Sequence, residues 1–387
     1  PEPPGIRFFP EYLQAAGYQT AFFGKWHMGH DSDDPRPGWT HWAAFKGQGS
    51  YEGVTLNING QHRHFEGYNA DVLTEQALEW LRGHGDRPFY LQLSFKNVHY
   101  PFQPAARHRG RYGAKPVPRP DTMANTEVNY ETQPRWVRER RYGIHGVDHM
   151  ETSPLDLDPV PDFDAFFRSY CESVHSLDEN IGRFLDYLRE SGLARNTLVI
   201  YTSDNGFHLG EHGFYDKRDA YETSIRVPMI VWAPGLIRPG TVISNMVLNI
   251  DLAPTFLEAA GVRPPADAPQ FDGRSFWPLL LGREIPWRDH MLYEYHWERN
   301  FPATPTLFAI RTERYKYVYT HGVWDKDAFY DLATDPKERF NLIRVPAYQE
   351  RIAALQKQLF DELEASGGLM IPVRRPAGEV LDDRKLP

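Results

Sequence analysis

Four short apolar runs, residues 18–23, 89–95, 198–201 and 227–232, alternate with segments of helical periodicity through the first two thirds of the chain. Strand-length runs separated by helices predict a mostly parallel sheet sandwiched by helices. Residues 11–16 read as a short helix closed by Gly17 as its C-cap. Leu73, Ala77, Leu78 and Leu81 lay an apolar stripe along a second helix. Phe166, Tyr170, Val174, Leu177, Ile181, Phe184 and Leu188 recur at spacings of three and four, and Gly192 ends that helix. Asp251 is placed to cap a further helix carrying Phe256 and Leu257 and stopping at Gly261.

Two stretches break the alternation. Residues 101–162 are rich in proline and carry Arg107, Arg109, Arg111, Lys115 and Arg119, which reads as a substrate-side excursion or as a solvated basic loop. After Pro286, residues 291–295, 307–310 and 315–319 look like successive antiparallel strands. Residues 331–338 read as a turn, and 348–363 as an amphipathic helix closed by Gly367 and Gly368. The expected organisation is an α/β domain over 1–285 and a smaller α+β subdomain over 286–387, an antiparallel sheet plus one helix.

A net charge of −9 argues against a nucleic-acid binder working through bulk electrostatics. A few cations in a cleft can still take an anionic substrate, since a distant surface charge is screened. No apolar run approaches the roughly 20 residues of a membrane helix. One cysteine, Cys171, leaves no intrachain disulfide, and within its helix pattern it reads as a small packing residue. Aromatics reach 14%, which suits either a carbohydrate-facing cleft or a large core.

Three of the four runs end in polar clusters: Gly24-Lys25-Trp26-His27, Lys96-Asn97-Val98-His99, and Thr202-Ser203-Asp204-Asn205-Gly206. In open parallel sheets ligands sit beyond the carboxyl ends of the strands. Asp204 and Asn205 are hard oxygen donors, suited to calcium or magnesium rather than zinc. Lys25, and Lys217 in Tyr215-Asp216-Lys217-Arg218, can set compact positive charge on a tetrahedral oxyanion. His27 and His99 can move protons near neutral pH. A hard cation, two lysines and two histidines suit sulfuryl or phosphoryl transfer.

The stretch Gly17-Tyr18-Gln19-Thr20-Ala21-Phe22-Phe23-Gly24-Lys25-Trp26-His27-Met28-Gly29 resembles the second signature of the sulfatase family, within the alkaline-phosphatase-like superfamily. Residues 196–234, with Ser203-Asp204-Asn205-Gly206 and Leu209-Gly210-Glu211-His212-Gly213, resemble that family's metal-binding region, and the likeness runs on through residues 311–317 and 332–341. The resemblance implies that Asp204 and Asn205 bind one calcium ion and that Lys25 and Lys217 grip the sulfate. It places His27 by the nucleophile and His99 as the acid that protonates the leaving alkoxide. It further implies a formylglycine nucleophile made from a Cys or Ser in a Cys/Ser-x-Pro-x-Arg motif, together with an aspartate pair, both upstream of the Gly-Lys-Trp-His signature. The 24 residues before Lys25 contain neither. The chain beginning at Pro1 is therefore expected to be inactive or nearly so, and its calcium ligand set incomplete.

The regions 39–51 and 295–300 resemble sulfatases of the N-acetylglucosamine-6-sulfate type, which implies a sulfated carbohydrate as substrate and a periplasmic or secreted location. His208, Arg218, His296, Trp297 and Arg299 are the candidate substrate contacts; Glu211 and His212 read better as loop-stabilising residues. Two other readings stay open: a phosphonate or phosphodiester hydrolase of the same superfamily, and a non-catalytic sulfated-glycan-binding protein.

Overall fold

The computed structural model describes residues 7–28, 32–152, 162–322 and 325–370. Gly29 of the signature stretch, the chain start at Pro1 and residues 153–161 of the proline-rich stretch lie outside the described residues. The chain forms two compact units, and each takes several stretches of sequence. The first comprises Pro1–Arg119, Val147–Leu209 and Arg226–Arg288; the second comprises Pro120–Gly146, Gly210–Ile225 and Asp289–Pro387.

The first unit is organised by a five-stranded sheet. Its strands are β1 (Gln19–Lys25), β2 (His41–Phe45), β3 (Glu52–Ile58), β4 (Gln61–Tyr68) and β5 (Phe89–Ser94), in the order β4-β3-β2-β1-β5. β1 runs parallel to β2 and β5, while β3 and β4 are antiparallel additions at one edge. Every residue from Thr20 to Gly24 is buried, as expected of a central parallel strand covered on both faces.

On one face Ala21 and Phe23 pack against Leu73 and Ala77 of α2 (Asn69–Gly83). On the other, Phe22 stacks on Trp42 at 4.7 Å. There, α1 (Phe9–Ala15) and α4 (Leu252–Ala259) also meet Tyr90 of β5 through Phe9 and Phe256. The long helix α3 (Phe163–Glu190) follows its three-and-four spacing: Leu188 packs with Leu78 and Leu81, and Asn180 donates to Asp71 of α2 at 2.7 Å. Gly17 takes the left-handed conformation of a C-cap, φ 91°.

Two expectations are corrected here. The apolar run at 198–201 forms β6 (Val199–Tyr201), which pairs antiparallel with β7 (Ile230–Trp232) in a two-stranded ribbon apart from the main sheet. Asp251 makes no side-chain cap on α4. Instead it takes a bidentate ion pair from Arg288, at 2.5 and 2.6 Å, and accepts from the backbone N–H of Leu248 and Arg274. A fully buried carboxylate is better compensated by a guanidinium than by one helix N–H.

In the second unit, β8 (His290–Tyr295), β9 (Thr306–Thr312), β10 (Tyr315–His321) and β11 (Ala328–Asp331) form an antiparallel sheet in sequence order. The helix α5 (Gln349–Ser366) lays Ile352, Leu355, Leu359 and Leu363 over Phe308, Ile310, Tyr317 and Phe329 of that sheet. It stops at Gly367, φ 77°. The expected sheet-plus-helix is present, with β11 added just ahead of the turn.

Candidate active site

β1 delivers Lys25 as its last residue, and Gly24 explains how. Its φ is 105°, and a Cβ placed there would lie 2.0 Å from the Ser94 carbonyl oxygen of β5. Only glycine lets the two backbones approach so closely at this strand end. Trp26 then anchors the segment edge-on to Phe22 and Trp42, at 5.3 and 5.2 Å, and His27 follows with φ 47°.

β5 runs parallel beside β1, with Gly24 opposite Ser94, so the clusters after both strands emerge at the same sheet end. The turn after β5 is closed by the His99 N–H donating to the Lys96 carbonyl at 2.9 Å. Tyr51 Oη donates to the His99 carbonyl at 2.6 Å. His99 Nδ1 lies 2.5 Å from the Tyr100 carbonyl oxygen. A carbonyl can only accept, so Nδ1 carries a proton, and Nε2 is the nitrogen that exchanges one.

Lys96 is a residue that sequence reasoning passed over, although it stands in the same strand-end cluster as His99. It is 5% exposed. Its Nζ donates to the Gln48 carbonyl at 3.0 Å and lies 4.8 Å from the Tyr51 ring centroid. Burial, and then the positive charge of Lys25, lower its pKa to about 8.

Asp204 and Asn205 lie beyond β6, on the separate ribbon. Asp204 accepts from the Asn205 N–H at 2.9 Å and from Ser203 Oγ at 3.3 Å, and Asn249 holds the Asp204 carbonyl at 3.0 Å. Among the described residues no group of three or more His, Cys, Asp or Glu side chains is arranged to hold a metal. Calcium takes six to eight oxygens. The two side chains present do not meet that demand by themselves. His208 is fully buried, so no substrate contact is assigned to it.

The remaining candidates belong to the second unit. Lys217 sits between two residues in the left-handed region, Asp216 at φ 97° and Arg218 at φ 79°. Such backbone persists only where surrounding contacts hold it. Arg140, 1% exposed, donates to the Lys217 carbonyl at 2.5 Å and to Asp219 at 2.6 Å. Arg218 donates to Asp216 at 2.5 Å and to Glu298 at 3.2 Å, with its guanidinium 3.4 Å from the Phe301 ring centroid. His145 lies 3.0 Å from Asp216 and stacks on Phe301 at 4.9 Å. Burial works to raise the Asp216 pKa, but the His145 hydrogen bond and the charges of His145, Arg218 and Lys217 outweigh it and hold the group well below the usual carboxylate range.

Arg218 is thus joined to the 295–300 segment through Glu298, a residue the sequence did not single out. Of the other candidates there, Trp297 is half-exposed with its indole N–H directed to the Pro302 carbonyl at 3.3 Å. His296 faces Glu294 at 3.7 Å, and Arg299 is exposed. His212 is buried, stacked on Tyr221 at 3.8 Å. A separate cavity of about 990 Å³, lined by residues including Glu127, Arg135, Arg138, Asp325 and Arg344, contains none of the candidates.

A family model described as Sulfatase matches residues 1–262, which hold both strand-end clusters and the Asp204–Asn205 pair. This chain belongs to the sulfatase family. A second model, N-sulphoglucosamine sulphohydrolase, C-terminal, matches residues 210–365. The family is one of sulfuric ester hydrolases in the alkaline-phosphatase-like superfamily, and the chain is similar to several named members. An N-acetylglucosamine-6-O-sulfatase of Bacteroides thetaiotaomicron is 31% identical over 92% of this chain and 71% of its own length. The N-acetylglucosamine-6-sulfatase of Bos taurus is 31% identical over 77% of this chain and 53% of its own. The chain therefore spans under three quarters of the bacterial relative and about half of the mammalian one. The solved structure of BT4656, in complex with its substrate D-glucosamine-2-N,6-O-disulfate, superposes with a TM-score of 0.84 at 29% identity, covering 94% of this chain and 83% of that one.

Proposed function

We propose that this sulfatase removes the 6-O-sulfate of an N-acetylglucosamine-type sugar. The observation that carries the reading is the shared end of β1 and β5. There the chain sets Lys25 and a histidine whose Nδ1 is committed to a carbonyl, while whole-chain likeness ties that arrangement to relatives named for this sulfate ester.

In this reading Lys25 holds a sulfate oxygen and His99 Nε2 delivers a proton to the departing sugar oxygen. A cation beside the negatively charged non-bridging oxygens matters most as the S–O bond to the sugar breaks. Lys217 and Arg218 are proposed as anion-binding residues of the second unit, and His27 as a neighbour of the nucleophile. Asp204 and Asn205 are proposed as two members of a calcium ligand set. The nucleophile, a formylglycine by family resemblance, is not supplied by residues 1–24. We accordingly propose that the 387-residue chain alone turns over little or no substrate, and that the working enzyme acts outside the cytosol.

The test is a competition. N-acetylglucosamine 6-sulfate and an aryl phosphonate monoester are offered together to the 387-residue chain and to the longest reading frame that contains it. Sulfate release by the longer form, well above phosphonate cleavage, supports the reading. Preferential phosphonate cleavage overturns it, and clear turnover by the 387-residue chain overturns the proposed inactivity.

A further inference from the structure

A buried charge is ordinarily matched by an opposite one, because taking an ammonium out of water costs several kcal/mol that hydrogen bonds to neutral groups only partly return. Lys96 departs from that rule. It is 5% exposed, and its ammonium meets a carbonyl and an aromatic face, with no carboxylate within 4.0 Å among the described residues. The Gln48 carbonyl takes one of its three N–H groups.

Its setting makes matters worse for an isolated cation. Lys25 ends the adjacent parallel strand and adds like charge. The buried Lys96 ammonium, with the like charge of Lys25 acting on it, stands in a place that an anion would favour. A buried cation whose charge is unmet, beside a second cation at a strand end, is a candidate functional group.

The same turn reaches the proposed acid. Lys96 accepts from the His99 N–H through its carbonyl, and the Tyr51 ring beneath its ammonium belongs to the side chain that holds the His99 carbonyl. We propose that Lys96 is a further anion-binding residue of this site, contacting the substrate's sulfate together with Lys25. The inference rests on the proposed sulfatase reading of that strand end and adds to it a residue with a stated ligand.

Calorimetric titration with inorganic sulfate tests it, using the wild-type chain and the variants Lys96→Met, Lys96→Arg and Lys25→Met. Expected is a loss of sulfate affinity of about tenfold or more in both methionine variants, with the ligand-free unfolding midpoint of Lys96→Met unchanged or raised. If Lys25→Met weakens binding while Lys96→Met stays within about twofold, the inference fails and the reading of the site stands. If neither variant changes binding, both fail. Weakening by Lys96→Met alone overturns the pairing with Lys25.

Should Lys96→Met not fold, the pH profile decides. Sulfate affinity of the wild type is expected to fall between pH 7 and 9.5, as the ligand-free Lys96 loses its proton. Lys96→Arg, which stays charged, is expected to fall less steeply. Superimposable profiles would overturn the proposal.

Discussion

Replacing Arg140 by methionine removes a guanidinium that is 1% exposed and holds two things at once, the carboxylate of Asp219 and the carbonyl of Lys217. Asp219 is fully buried, so the variant leaves a carboxylate whose main cationic partner has gone. Breaking a buried pair from one side costs about 3–5 kcal/mol. The methionine recovers part of the packing over the Phe214 ring, where the guanidinium sits at 4.4 Å, so the lower half of that range is expected. At about 3 °C per kcal/mol for a unit of this size, the thermal midpoint should fall by roughly 10 °C.

Exchanging both partners, Arg140→Met with Asp219→Leu, removes the buried carboxylate together with the guanidinium. It should cost clearly less than the sum of the two single exchanges. Urea unfolding of the four proteins measures this cycle. Additive costs, or a single-variant cost below about 1 kcal/mol, would refute the claim that the ion pair fixes this loop.

Further consequences follow from other contacts. Gly24→Ala introduces a Cβ 2.0 Å from the Ser94 oxygen at φ 105°, and should cost at least about 2 kcal/mol in a urea titration; an unchanged midpoint would show that the strand end adapts freely. In the reading frame that turns over, His99→Ala should lower kcat on a sugar sulfate by about 10²–10⁴-fold, and much less on an aryl sulfate whose leaving group needs no proton; equal losses would remove His99 as the acid. Glu338 is raised to about 7 by burial, against the pull of Lys316 at 2.7 Å. Its folded pKa therefore lies above its unfolded one. Its contribution to stability is complete below about pH 4.5 and is lost as pH rises through 7, so Glu338→Gln should flatten the fall in unfolding free energy over that window.

The sequence made some elements plain because local physics dictates them. The three-and-four spacing of α3, the buried run of β1 and the left-handed glycines after α1 and α5 are local signals. The strand β4 left no such mark: as an exposed edge reading Gln-His-Arg-His-Phe-Glu-Gly-Tyr, it lacks the alternation a half-buried strand carries. β2 and β11 are too short for periodicity to reveal them.

Residue types announced Lys25 and His99, because a lysine and a histidine stand in polar clusters directly after strand-length apolar runs. The surroundings of Lys96 in the first unit, and separately those of Arg140, His145 and Glu298 in the second, depend on long-range neighbours such as Gln48, Asp219, Asp216 and Arg218, which no local pattern encodes. The packing of Pro120–Gly146 and Gly210–Ile225 with the C-terminal sheet is of the same kind.

The measurement that bears most directly on the central claim is the anomalous density of tungstate, a tetrahedral dianion, soaked into crystals of the chain. A peak is expected within hydrogen-bonding reach of Lys25 Nζ at the end of β1. A peak confined to the arginine-lined cavity of the second unit, with nothing beside Lys25, would contradict it.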